Sequence, residues 1–222
     1  MNPSTTNFTS VIFDFDYTLA DSSAGEVECV NYALRAMNLP PAANSDIRAM
    51  IGVSLPETFR RLTREADQTK GNEFVELFIK RADAVMLDYI VLFNSVRPAV
   101  TQLIANGLTL GIVSTKYRRR IDAFLRREEL TRAFKIVIGG EDVPAHKPDP
   151  AGLLMALEKL GHSAAQTVYV GDSVVDAETA KRANVAFVAV LSGVTPKESF
   201  RDYAPLAVID SLQTLPDLLL KQ

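Results

Sequence analysis

The amino-acid sequence predicts an α/β fold, a doubly wound parallel sheet with an all-helical domain inserted after its first strand. Three observations lead there. Six short apolar runs rich in Val and Ile mostly lack polar alternation, as strands covered on both faces do. From residue 97 onward these runs alternate with helical patterns, the mark of βαβ units. The first and second runs are separated by about 90 residues, far more than an ordinary crossover needs.

The first run, 10–14 (SVIFD), opens onto Phe15 and Asp16. After it, segments 24–38, 45–66 and 72–93 look helical: Val27, Val30, Leu34 and Met37 recur at near 3.6 spacing, as do Phe74, Leu77, Phe78 and Val85. An insertion that leaves the core near 19–23 and returns near 93–97 is the simplest account. The remaining strands are 108–114 (LTLGIVS), 135–138 (KIVI), 167–171 (TVYVG), 186–191 (AFVAVL) and 206–209 (LAVI). Helical patterns over 97–106, 118–129, 150–160, 174–183 and 212–221 lie between or after them, with Gly107 and Gly161 placed as helix stops. The core is thus Rossmann-like.

Composition narrows the function. With 24 Lys+Arg against 27 Asp+Glu, the net charge of −3 gives no pull toward nucleic acid or an anionic membrane. The basic run Arg118-Arg119-Arg120, continued by Arg126-Arg127, is interleaved with Asp122, Glu128 and Glu129, as on a solvated helix face. Cys29 is the one cysteine, set among apolar residues at helical spacing, so no disulfide forms within the chain and a core thiol is expected. His146 and His162 are too few for a zinc constellation and read as structural or exposed, so any metal is held by oxygen. The N-terminal MNPSTTNFTS has neither a basic start nor an apolar stretch, and no segment reaches the roughly 18 apolar residues of a membrane span, so the expected location is cytoplasmic. The signatures of phosphate-binding P-loops, dinucleotide folds, serine hydrolases and zincins are missing.

Sheets of this kind build ligand sites beyond the carboxyl ends of their strands. Those ends here read Asp14-Phe15-Asp16, Ser114-Thr115, Gly139-Gly140-Glu141-Asp142, Gly171-Asp172-Ser173, Ser192-Gly193 and Asp210-Ser211. Asp14 and Asp16 on one strand, with Asp172 and Asp176 on another, would repel unless raised pKa values or a bound hard cation relieve them, and Mg2+ suits an all-oxygen site. Lys147 and the hydroxyls of Ser114 and Thr115 add what the equatorial oxygens of a phosphoryl group want. A carboxylate beside them can serve as a nucleophile.

With these residues the chain resembles the haloacid dehalogenase-like superfamily. Asp14-Phe15-Asp16-Tyr17-Thr18-Leu19 is similar to its first motif, Ser114-Thr115-Lys116 to its second, Lys147-Pro148-Asp149-Pro150 to its third, and Gly171-Asp172-Ser173-Val174-Val175-Asp176 to its fourth. The insertion is similar to the small cap of the phosphoglycolate phosphatase and β-phosphoglucomutase branch. The resemblance implies a discontinuous core, 1–19 plus 97–222, and a cap over 20–96 that closes on a small phosphorylated metabolite, in a monomer or homodimer. It implies Asp14 as nucleophile and Asp16 as the acid that protonates the leaving oxygen and later activates water. Mg2+ would be held by Asp14, the carbonyl of Asp16, and Asp172. Thr18 would brace Asp16 and, with Ser114, Thr115, Lys116 and Lys147, serve the phosphoryl group. Asp176 would orient metal waters or Lys147. Arg48, Val53 and Ser54, around the Gly52 turn, are candidates for specificity or else a plain helix-to-helix turn. Asp16 must be able to be neutral when Asp14 attacks, and neighbouring negative charge pushes one of the pair's pKa values upward.

The implied activity is a Mg2+-dependent phosphatase acting through an aspartyl-phosphate. A phosphomutase shares every group named and stays open. A dehalogenase is disfavoured by Asp16, a phospho-aspartate signalling module by the long insertion. A binding protein without catalysis would have little reason to hold Asp14, Asp16, Lys147 and Asp172 together. Tyr17 departs from the glycine common at its place, which asks for an unstrained backbone or extra room.

Overall fold

The structure, a computed structural model, describes residues 8–220. The chain forms two compact units, one made of the chain up to Leu19 and from Leu92 onward, the other of Ala20–Val91.

The first unit begins with β1 (Ser10–Phe13), and the chain then passes into the inserted unit through β2 (Ala20–Asp21). There it builds α1 (Ser23–Ala36), α2 (Asn44–Arg48), α3 (Leu55–Thr63) and α4 (Gln68–Tyr89), and returns along β3 (Val91–Leu92), which pairs with β2. The first unit continues with α5 (Val96–Ala105), β4 (Thr109–Val113), α6 (Arg118–Arg127), β5 (Ile136–Ile138), α7 (Ala151–Leu160) and β6 (Thr167–Gly171). It ends with α8 (Val174–Arg182), β7 (Ala186–Val190), β8 (Ala207–Ile209) and α9 (Leu215–Leu220).

Six strands form one sheet in the order β5-β4-β1-β6-β7-β8, and every registered pair is parallel. The order runs outward in both directions from β1, so a crevice opens beyond the carboxyl end of that strand. Register decides what meets there. Phe13 lies opposite Ile112 of β4 and Val170 of β6, so one step further Asp14 stands level with Val113 and Gly171, and Ser114 and Asp172 follow.

Both faces of the sheet are covered. Ile12 packs with Leu153, Ala156 and Leu157 of α7, Ala177 and Ala180 of α8, and Phe187 and Phe200. Phe13, pointing the other way, meets Phe134 edge to face at 6.2 Å. Continuous burial along the strands is why their sequences lack polar alternation. Gly107 and Gly161 end α5 and α7 in the left-handed region, at φ 83° and 69°, where a side chain would be strained.

In the inserted unit α1 packs on α4, and Phe59, Phe74 and Phe78 stack in a row with centroids 5.2 and 6.3 Å apart. The predicted helix over 45–66 is interrupted: α2 stops at Arg48, Gly52 turns the chain at φ 90°, and α3 restarts with Pro56 in its first turn. The helix predicted from 72 begins at Gln68, because the Asp67 side chain accepts from the Thr69 and Lys70 amides and caps it there. It ends at Tyr89, which leaves Val91–Leu92 to extend. Between β7 and β8 the chain runs through a 3-10 segment, Lys197–Tyr203, anchored by buried Phe200. The predicted final helix is a 3-10 turn, Leu212–Thr214, leading into α9; its residue 221, like the N-terminal residues 1–7 read above, lies outside the described residues.

Candidate active site

The groups that converge beyond β1 come from the ends of β1, β4 and β6, the loop before α7 and the first turn of α8. The Asp14 amide donates to the Val170 carbonyl at 2.8 Å, so its backbone still belongs to the sheet while its side chain leaves it. The carboxylate is buried, and Oδ1 lies 2.8 Å from Lys147 Nζ. That approach is off the hydrogen-bonding direction, and Oδ1 is a buried oxygen with no hydrogen-bond partner among the described residues. Lys147 Nζ instead donates to Asp176 Oδ1 at 2.5 Å and to the Tyr169 hydroxyl at 3.2 Å. Asp176 is also the third residue of a capping box that starts α8: Ser173 N and Oγ donate to its Oδ2 at 3.1 and 2.6 Å. A residue that begins a helix is thereby fixed as an anchor for the lysine.

Asp172 faces this group from the end of β6. Its Oδ1 accepts from Thr18 Oγ1 at 3.4 Å; the hydroxyl expected to brace Asp16 goes to Asp172 instead, because Thr18 follows the turn at Tyr17. Asp14, Asp172 and Asp176 each place an oxygen within 4.8 Å of the others. Burial pushes the Asp14 carboxyl up to about 7, with Asp176 and Asp16 adding to the rise and Lys147 opposing it. Burial first, then Asp176 and Asp14, pushes Asp172 well above the carboxylate range too. Burial also works against the Lys147 charge, but Asp14 and Asp176 outweigh it and keep the ammonium charged. A cluster of buried carboxyl oxygens, one without a hydrogen bond, fits a hard divalent cation.

Gly193, beyond β7, makes room for this cluster, since a Cβ there would stand 1.9 Å from Asp172 Oδ2. Gly193→Ala is therefore expected to displace the Asp172 carboxylate and weaken Mg2+ binding about tenfold or more at unchanged secondary structure. Calorimetric titration with MgCl2 and circular dichroism check both halves.

Asp16 points to a different partner. Lys116 Nζ lies 3.0 Å from its Oδ1 and 3.4 Å from Oδ2, above the Phe15 ring, and both side chains are buried. Lys116, expected at the phosphoryl group, instead joins its ammonium to Asp16. Ser114 is buried at the end of β4, its Oγ accepting from the Lys116 amide at 3.3 Å, and Thr115 follows half-buried. Tyr17 does not have the unstrained backbone asked of it. It sits at φ 58°, the left-handed region that explains why glycine suits this place, at a cost of about 1–2 kcal/mol for a bulky residue. Its carbonyl accepts from Ser192 Oγ at 2.5 Å, and its side chain is 7% exposed, so the ring is packed rather than presented to solvent.

Arg48, Val53 and Ser54 belong to the inserted unit. Arg48 ends α2 exposed, and Val53 and Ser54 form the half-buried turn before α3. Ser54 lines a cavity of about 340 Å³ within that unit, with Pro56, Glu57 and Arg60 among its walls.

Tyr169, Ser173 and Gly193 were not singled out as functional by the sequence reading. Tyr169 lies in an apolar strand run, where its hydroxyl is the one polar signal, and a buried phenol needs a partner. Burial raises it well above the usual tyrosine range, so it is a neutral O–H.

A profile described as haloacid dehalogenase-like hydrolase matches residues 11–190. Among curated relatives, a phosphoglycolate phosphatase of Pseudomonas syringae pv. syringae is 31% identical over 211 residues, covering 92% of this chain and 77% of that protein. One from Salmonella typhi is 31% identical over 230 residues, covering 94% and 91%. A crystal structure described as a haloacid dehalogenase-like hydrolase from Bacteroides fragilis superposes with a TM-score of 0.91 at 42% identity, covering 94% of this chain and 99% of that one. No helix among the described residues is long and apolar enough to cross a membrane.

Proposed function

Because this chain belongs to the haloacid dehalogenase-like hydrolases, we propose that it is a Mg2+-dependent phosphatase that hydrolyses a small phosphate monoester, such as phosphoglycolate or a sugar phosphate, through a phosphoryl group carried on Asp14. The observation that carries this reading is the buried Asp14 carboxylate at the end of the central strand, without a hydrogen bond at Oδ1 and ion-paired there with Lys147 at 2.8 Å. The naming of its relatives as phosphoglycolate phosphatases supports the substrate class.

In this reading an Asp14 oxygen attacks phosphorus as the bond to the leaving oxygen breaks, and the Asp16 carboxyl gives that oxygen its proton. Water then attacks the phosphorus of the acyl phosphate, Asp16 takes its proton, and inorganic phosphate leaves Asp14 as a carboxylate. Ser114, Thr115 and Lys147 hold the phosphoryl oxygens. Asp14, the Asp16 carbonyl and Asp172 would hold Mg2+, with Asp176 behind them fixing Lys147. The ion supplies positive charge against the phosphoryl oxygens and the carboxylates. Lys116 beside Asp16 serves the second step most directly, since it neutralises a carboxylate that must stand ready for water. The choice of ester is assigned to the inserted unit, with Arg48, Val53 and Ser54 as the side chains to exchange first.

The test is turnover of phosphorylated metabolites and an aryl phosphate. Free phosphate released with MgCl2 and lost with EDTA is expected. Glucose 6-phosphate formed from glucose 1-phosphate without free phosphate would replace hydrolysis by transfer.

Mg2+ binding is also expected to strengthen with pH. In the metal-free protein Asp14 is raised from 3.8 to about 7, so the stability it contributes is present below pH 4 and lost as pH rises through 7; Asp172 moves in the same direction. Ligation needs the deprotonated forms. At a Mg2+ concentration about 100 times Kd the ion adds about 2.7 kcal/mol, or roughly 5–10 °C in Tm. That shift is expected at pH 8 and should shrink toward zero near pH 5, as a thermal melt series reads directly.

A further inference from the structure

We infer that Tyr169 is a positioning residue for the phosphoryl group, its neutral hydroxyl fixing the Lys147 ammonium so that one N–H stays available for a phosphoryl oxygen. This rests on the phosphatase reading above. An ammonium has three donors. Asp176 Oδ1 takes one at 2.5 Å and the Tyr169 hydroxyl a second at 3.2 Å. The third makes no hydrogen bond to Asp14 Oδ1 although only 2.8 Å separates the atoms. The donor that remains is thus the one a phosphoryl oxygen can accept.

The phenol is itself held on every side. It lies 3.0 Å from Asp176 Oδ1 and 3.1 Å from the Val113 carbonyl, so its proton goes to one of these while its lone pair takes the lysine. Its ring is fully buried in β6 and packs on Phe187 at 6.3 Å. Chemistry explains why a tyrosine suits this place. The site already concentrates three carboxylates, and a fourth acidic acceptor would add repulsion, whereas a phenol accepts a hydrogen bond without charge. Without the hydroxyl, the lysine keeps its hydrogen bond to Asp176 and its ion pair with Asp14, but its third donor is no longer aimed.

Tyr169→Phe removes the oxygen alone. In the full chain with saturating MgCl2, the dissociation constant of inorganic phosphate, measured by calorimetry, is expected to rise about tenfold, and KM for an aryl phosphate with it, while kcat changes by less than about threefold. Tyr169→Met is the second variant should the first not fold, with the same expected shifts. Phe187→Leu is the control: it loosens the packing around the ring and should leave phosphate affinity and KM as in the wild type. Equal phosphate affinity in folded wild type and variant overturns the assignment, as does an equal rise in Phe187→Leu. A wild type that binds phosphate yet turns over no monoester sinks the phosphatase reading, and the phosphate titrations still decide the role of Tyr169.

Discussion

Asp14→Asn is expected to lower phosphate release from an aryl phosphate by at least about 10³-fold while the protein stays folded. The amide keeps the shape and the Oδ1 position beside Lys147 but cannot attack phosphorus. The same change should raise the stability of the metal-free protein, and the gain has a pH signature. Burial is the main reason Asp14 is pushed up to about 7, so charging it costs the folded state. Wild type loses that stability as pH rises from about 4 through 7, whereas asparagine has no proton to lose. The variant is thus expected to match wild type near pH 4 and exceed it at pH 8 in EDTA, by urea denaturation. A turnover within tenfold of wild type would sink covalent catalysis on Asp14. A variant less stable at pH 8 would sink the claim that the carboxylate is strained when no cation is bound.

Much of this arrangement was legible in the sequence, for a physical reason. Strands buried on both faces write themselves as apolar runs, so the run TVYVG coincides with β6 residue for residue and the other five core strands fall within a residue or so of their predicted bounds. Polar residues at strand ends then stand out against that background, and register brings Asp14, Ser114 and Asp172 to one edge. The helical segment read over 45–66 holds the turn at Gly52 that its sequence suggested, and there the chain divides into α2 and α3. Local rules fail where tertiary context decides. Tyr169 was hidden by its strand, since a tyrosine in such a run counts as apolar until the partner of its hydroxyl is known. The resemblance assigned the Thr18 hydroxyl to Asp16, whereas its hydrogen bond goes to Asp172, on a strand far away in sequence. Nor could spacing reveal that Lys116 would find Asp16 across 100 residues of sequence.

That last pairing leads to the second large effect. Lys116→Met is expected to destabilise the protein by about 3–5 kcal/mol, roughly 6–20 °C in Tm, because it leaves the Asp16 carboxylate buried without its cation. The side chains are 3% and 7% exposed, which puts the pair outside the range where solvent screening makes ion pairs worth little. Methionine still fills the space over the Phe15 ring, so the loss reads the charge rather than a cavity. Removing both charges, in Lys116→Met with Asp16→Leu, is expected to recover most of the stability, since a well-packed apolar pair often replaces a buried ion pair at no net cost. If Lys116 instead serves chiefly to hold the phosphoryl group, the single variant should melt close to wild type and show its defect as weaker inorganic phosphate binding. The melting curve and the phosphate titration therefore move in opposite ways for the two roles. A large loss of stability with phosphate affinity retained ties Lys116 to Asp16.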